Sequence, residues 1–235
     1  MFTKIEFAVQ MTCESCVKAV KESLFNVPGI SNVDINLENN SVVVDTTLTT
    51  DQVLKHLQSS GKKAVVKGIE GILAGVAVLD ISKEIQGVVR FAQISSNTCI
   101  VDGTVDGLKP GKYGLYIHES GDISQGCNSV GDCFNPKNYD CSSSSNRAYS
   151  DLGIITAEAN GRSSFRFQDN VINLSDVIGR SLVVTEHSKG PDCIGNRVTC
   201  GIIARSSSLF QNPKTICACD GISIWDERNQ PKSSL

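Results

Sequence analysis

The hydrophobic period of this chain changes once and does not change back. Over residues 3 to 10 apolar and polar residues alternate, with Ile5, Phe7 and Val9 on one face, which predicts a strand. After "MTCESC" the spacing becomes helical at Val17, Val20, Leu24 and Val27, and "PG" at 28 and 29 stops it. Ile30 to Leu37 alternates again, "ENN" turns, and "SVVVDT" returns as a strand. Thr50 or Asp51 is expected to cap a second helix carrying Val53, Leu54 and Leu57, with Gly61 closing it and "KAVVK" as a last short strand. The order is βαββαβ.

That order in about 68 residues predicts a ferredoxin-like α+β unit. "KGIEG" follows as an expected linker, and then the texture changes. For more than a hundred residues no convincing amphipathic helix appears. Strand-like runs follow one another instead: "ILAGVAVLDI", "IQGVVRFAQI", "TCIVDGTVDGL", "KYGLYIHE", "LGIITAE", "SFRFQ", "SLVVTE" and "CGIIAR". Strands with Gly, Asn and Asp turns predict an all-β sandwich or barrel, and Asn160-Gly161 predicts a hairpin between two of them. One long irregular stretch, residues 120 to 150, interrupts the series, and loops of that length are usually functional or tied by disulfides. From about Ser206 the chain turns polar. The expected domains are 1–68, 72–206 and a C-terminal tail, 207–235.

Charge and hydropathy narrow the function. With 22 basic and 25 acidic residues well mixed, the net charge of −3 offers no basic block for nucleic acid. The longest apolar stretches, such as "GILAGVAVL", are too short to span a membrane. The N-terminus lacks the apolar centre of a secretory signal, so a cytosolic location is expected. There are ten cysteines and only three histidines, His56, His118 and His187. In a reducing compartment, clustered thiols bind metal or do redox chemistry more often than they staple a fold.

The first thiol cluster is Cys13 with Cys16. It sits where a strand passes into a helix, with Cys16 in the first helical turn, and a helix N-terminus favours thiolate. Two soft thiolates on a loop suit Cu(I), whereas structural Zn(II) wants four ligands and no second pair is near in sequence. A thioredoxin-type redox pair is the competing reading, but the Trp or Pro that usually flanks it is missing. The M-x-C-x-x-C motif in this setting resembles the heavy-metal-associated domain of copper chaperones and copper-transporting ATPases. Lys62 is then a candidate to approach the thiolate loop and offset its charge, against the simpler reading of a solvated lysine.

From about 70 to 205 the motifs "GLKPGKYGLYIHESGD", "FNP", "SDLG", "IGRSLVV" and "NRVTCG", in this order, resemble Cu,Zn superoxide dismutase, whose architecture is a Greek-key β-sandwich. The resemblance places the family's four copper histidines on Tyr116, His118, Cys133 and Thr185, so one of the four is still histidine and dismutase activity is not expected. The family's zinc positions fall on Cys133, Cys141, Ala148 and Asp151. Cys133, Cys141 and Asp151 are candidate Zn(II) ligands with a fourth donor; alternatively the two cysteines are free or paired with each other. The family's disulfide implies a bond between Cys127 and Cys200. Arg197 matches its substrate-guiding arginine, but the segment from His187 to Asn196 is shorter than the family's guiding loop, so a structural role is expected. Cys99 reads as inert core, and Cys193 has no assigned role.

The segments matching that family's dimer interface, "SGDISQGCNSVG", "VIGRSLVV" and "CGIIA", survive where its ligands do not. A self-complementary patch on such a domain predicts a heterodimer with the dismutase itself, with a homodimer as the competing reading. The second thiol cluster, Cys217 and Cys219 in "TICACDG", lies in the tail. Residues two apart face the same side of an extended segment, so these sulfurs can hold Cu(I) or act as attacking and resolving thiols. The chain as a whole resembles the copper chaperone for superoxide dismutase family. The resemblance implies Cu(I) capture, docking on immature dismutase, copper delivery and formation of the client's disulfide. An active dismutase with an added metal-binding domain, or a copper buffer without a client, are the alternatives.

Overall fold

The computed structural model describes residues 1–136, 148–186 and 195–212. The chain divides into two compact units, Met1–Glu70 with the described residues from Ser207 onward, and Gly71–Ser206.

The first unit runs β1 (Thr3–Val9), α1 (Glu14–Leu24), β2 (Ile30–Asn36), β3 (Ser41–Thr46), α2 (Thr50–Ser59) and β4 (Ala64–Ile69). Its four strands pair antiparallel in the order β2-β3-β1-β4. Alternation along β1 sends Ile5, Phe7 and Val9 to one face, where they are fully buried with Val20, Val53 and Leu57. The cap of α2 is Thr49, not Thr50 or Asp51. Its hydroxyl accepts from the Gln52 N–H while the Gln52 side chain accepts from the Thr49 N–H, a reciprocal box that only this spacing allows. Asp51 instead pairs with Lys55 one turn on, at 2.8 Å.

"KGIEG" is not a linker through its length. Lys67, Gly68 and Ile69 belong to β4, because Ile69 pairs with Ile5 and is buried. The register slips between Glu6 and Phe7, leaving Lys67 as the extra residue opposite β1. Its ammonium lies 3.4 Å from the Glu6 carboxylate.

The second unit runs β5 (Leu73–Leu79), β6 (Gln86–Ser95), β7 (Thr98–Asp106), β8 (Gly111–His118), β9 (Ser124–Cys127), β10 (Asp151–Ala157), β11 (Ser163–Asp169), α3 (Leu174–Val177), β12 (Ser181–Glu186) and β13 (Arg197–Ser206). Eight of the strands form one sheet in the order β10-β8-β12-β13-β5-β6-β7-β11. Its inner face buries Leu79, Phe91, Val101, Leu115, Leu182 and Ile203. The connections β7–β8 and β10–β11 cross between distant strands, as in a Greek key.

Asn160-Gly161 does turn the chain. Gly161, at φ +79°, donates to Glu158, and Glu158 donates to Arg162. The predicted hairpin does not follow, because β10 and β11 are the two opposite edges of the eight-stranded sheet. Each edge takes its ladder from another neighbour, β8 or β7. Among the described residues, no helix is long and apolar enough to cross a membrane.

Candidate metal-transfer site

The loop between β1 and α1 is held from both sides. Gln10 N–H donates to Lys63 O at 2.9 Å, and Met11 N–H donates to Asn40 Oδ1 at 2.9 Å. Met11 itself is buried, so it anchors the loop. Cys13 is the N-cap of α1 and its carbonyl accepts from the N–H groups of Cys16 and Val17. The two sulfurs lie 3.4 Å apart, close enough for one ion to bridge them.

Both thiols are pushed toward thiolate. Cys16 is lowered to about 6, first by a backbone hydrogen bond from Thr12, then by the Thr12 hydroxyl, Cys13 and Lys62. Cys13 is also lowered, chiefly by the Ser15 hydroxyl at 3.0 Å. The Thr12 hydroxyl reaches both sulfurs, at 3.6 Å from Cys16 and 3.9 Å from Cys13. At neutral pH the pair therefore offers soft, anionic sulfur, the donor that Cu(I) selects.

The sandwich presents a different picture. His118 is buried on β8, and burial pushes its imidazole below the ordinary histidine range. Nδ1 donates to Gly131 O at 2.9 Å, which leaves Nε2 as an acceptor 3.9 Å from Cys133 Sγ. Tyr116 lies one strand residue pair away, its ring over Gly114, where any Cβ would sit 2.4 Å from the ring. Thr185 Oγ1 is buried beside it with no hydrogen-bond partner among the described residues. One imidazole, one thiol, a phenol and a hydroxyl do not make a centre that holds copper in two oxidation states.

Of the four zinc positions, three fall on described residues, Cys133, Ala148 and Asp151. Asp151 Oδ1 accepts from Gly153 N–H within its own strand, at 2.8 Å, and Ala148 offers no side-chain donor. Among the described residues no group of three His, Cys, Asp or Glu could hold a metal ion. Cys141 lies outside the described residues, as do Cys193, Cys217, Cys219 and His187. Cys127 and Cys200 are joined by a disulfide with Cα atoms 5.7 Å apart, tying the end of β9 to β13. Arg197 reinforces that tie by donating to Cys127 O at 2.6 Å and Gly131 O at 2.8 Å. Cys99 is fully buried, and burial pushes its thiol up to about 12.

Residues 6–72 match the heavy-metal-associated domain family and residues 85–203 match the copper/zinc superoxide dismutase family. Over nearly the whole length the chain is similar to curated proteins named copper chaperone for superoxide dismutase. The mouse (Mus musculus) protein is 48% identical, the pig (Sus scrofa) protein 47% and the human (Homo sapiens) protein 45%. Each alignment covers 97% of this chain and 89% of the relative. The chain belongs to the copper chaperone for superoxide dismutase family.

For a member of this family, two features were beyond the motif as read from sequence. The first is the support of the thiol loop. Thr12 and Ser15 occupy unassigned positions of M-x-C-x-x-C, yet the Thr12 backbone and hydroxyl lower Cys16 and the Ser15 hydroxyl lowers Cys13. Asn40, at φ +51°, turns the β2–β3 connection and carries Met11; an Asn in a tight turn was its only signal. The second is an apolar surface patch. Ile203 pairs with Ala77 inside the sheet, which places Ile202 opposite Val78 on the outer face. Ile202, Val78 and Ile81 remain 38%, 45% and 41% exposed. Glycines flank them closely: a Cβ on Gly201 would meet Val78 O at 2.1 Å, and one on Gly121 would lie 3.5 Å from Ile202.

Proposed function

We propose that this protein carries Cu(I) on Cys13 and Cys16, docks as a heterodimer on immature Cu,Zn superoxide dismutase, and delivers the copper there. The observation that carries this reading is the pair of sulfurs 3.4 Å apart at a helix N-terminus, with Cys16 lowered to about 6. The relatives' shared name supplies the client. Copper is cargo throughout: the Cys13 and Cys16 thiolates give it up to the client's own ligands without change of oxidation state. Lys62, which stabilises the Cys16 thiolate, offsets the negative charge of a copper-dithiolate loop.

Docking falls to the outer face of β5 and β13, where Val78 and Ile202 lie exposed, with the exposed Ile81 just beyond the end of β5. The sandwich keeps the fold of the client's own family while its ligand positions carry Tyr116, Cys133 and Thr185, so it serves as a shape and not as a catalyst. Cys217 and Cys219 promote the client's disulfide. A client thiolate attacks a Cys217–Cys219 disulfide to form a mixed disulfide, and a second client thiolate resolves it. Two electrons pass from client to tail, which leaves as a dithiol; an oxidant such as dioxygen restores it. We place this activity in the cytosol, where reducing conditions keep Cys13 and Cys16 as thiols.

The test is to mix the Cu(I)-loaded protein with copper-free, disulfide-reduced dismutase and follow particle size, client copper and client disulfide together. The expected result is a one-to-one complex, then copper-loaded, oxidised client. Failure to form a complex would identify a copper buffer, and high dismutase turnover by the chain alone would identify an enzyme.

A further inference from the structure

Glu6 is a carboxylate that the proposed function does not use, yet it is 1% exposed. It projects from the face of β1 opposite Ile5 and Phe7. Three donors surround it: the Ser41 hydroxyl at 3.3 Å, the Lys67 ammonium at 3.4 Å and the backbone N–H of Phe210 at 2.7 Å. The last of these comes from 204 residues away in sequence. A buried carboxylate is held only where its lone pairs are filled, so this cluster is built around the arriving segment.

The neighbouring edge of the sheet is shaped for the same segment. β4 is an edge strand, and Ser208 forms a parallel bridge with Ile69 on it. A Cβ on Gly68 would lie 2.5 Å from Ser208 O, so only glycine lets the two backbones meet. Residues 208 to 211 then close on themselves, with Ser208 N–H donating to Gln211 Oε1 and Gln211 N–H to Ser208 O. Phe210 takes φ +61°, a conformation that a bulky side chain adopts only when its surroundings dictate it. That twist presents its N–H to Glu6.

We propose that Glu6 and Gly68 moor the root of the C-terminal segment on the metal-binding unit, so that the C-x-C motif works on a short leash measured from that unit. Glu6 is a positioning residue in this account, which rests on the tail function proposed above. The arithmetic is simple. Seven residues separate Phe210 from Cys217, a reach of at most roughly 24 Å. Seven also separate Glu6 from Cys13, with the same bound. Without the mooring the free segment begins after Ser206 and has eleven residues to Cys217. Effective concentration falls as about the −3/2 power of tether length, so the added length alone costs the tail thiols roughly two-fold.

The experiment compares full-length wild-type protein with Glu6→Ala, Glu6→Gln and Gly68→Val. Amide hydrogen exchange over residues 207–212 reads the mooring. Cross-linking of Cys13 or Cys16 to Cys217 or Cys219 by a short bis-maleimide, located by mass spectrometry, reads the leash. Wild type is expected to protect the Phe210 amide, and Glu6→Ala and Gly68→Val to lose about ten-fold or more of that protection. Glu6→Gln, which keeps a carbonyl acceptor, is expected to restore part of it. Cross-linking should slow about two-fold or more in the two disrupted variants. An unprotected Phe210 amide in wild type, or protection unchanged in both disrupted variants, overturns the mooring. Lost protection with an unchanged cross-linking rate overturns the leash. A moored, normally cross-linking protein that does not mature dismutase would sink the proposed function and leave the mooring standing.

Discussion

Replacing Ile202 by Asp should separate folding from docking. Ile202 points away from the core while its neighbour Ile203 is fully buried, so the substitution leaves the packed face of β13 untouched. Fully burying an isoleucine side chain is worth about 1.5–3 kcal/mol, and 38% of this one remains to be sealed. Closing a partner over it therefore contributes roughly 0.6–1.1 kcal/mol, and Ile202→Ala should weaken binding at most about 3- to 6-fold. Aspartate adds the cost of sealing an unpaired carboxylate, several kcal/mol, so affinity should fall at least about a hundred-fold. Isothermal titration of copper-free, disulfide-reduced dismutase into each variant measures this directly. Ile154→Asp is the control: it is 54% exposed but on β10, at one edge of the sheet. Wild-type affinity for Ile202→Asp, or an equal loss for Ile154→Asp, would refute the assignment of this face.

Three further outcomes are expected. Cys217→Ser with Cys219→Ser should abolish client disulfide formation while leaving complex size unchanged, as read by non-reducing electrophoresis and sedimentation. Thr12→Val and Lys62→Met should each raise the Cys16 pKa above about 6, because each removes a group that stabilises the thiolate. Cys16 thiolate absorbance and alkylation rate, half lost in wild type at about pH 6, would then reach half-loss at higher pH. Cys127→Ser opens a loop of sequence separation 73 and should lower stability by about 4 kcal/mol, a fall in the thermal midpoint on the order of 10 °C, measured by calorimetry.

Periodicity made the ferredoxin-like unit legible because each of its elements is half-buried and local. Ile5, Phe7 and Val9 declare their strand without help from elsewhere. What the pattern missed was set by distant partners. "KGIEG" has the composition of a linker, and only the pairing of Ile69 with Ile5 makes its first half a strand. Asn160-Gly161 turns as its chemistry requires, but the ladder that would make a hairpin is taken by β7 and β8. At the site, the two cysteines were visible because soft thiols at that spacing are rare. Thr12, Ser15 and Asn40 are common residues in common roles, and their importance lies in distances that spacing does not encode. Glu6 is the extreme case: an alternating strand leads one to expect a solvated glutamate there, and one of the donors that meet it is 204 positions away.

Cys99 is the most secluded free thiol among the described residues. It is sealed among Phe91, Val101 and the rest of the core, with its proton held to about pH 12. A protein that handles a soft Lewis acid must keep spare sulfur out of the competition, and here the core does so by withholding solvent from it. The same seclusion turns Cys99 into a recorder. An electrophile in the surrounding solution reaches it only when the sandwich opens, and each opening caught in this way leaves a covalent mark that refolding cannot erase.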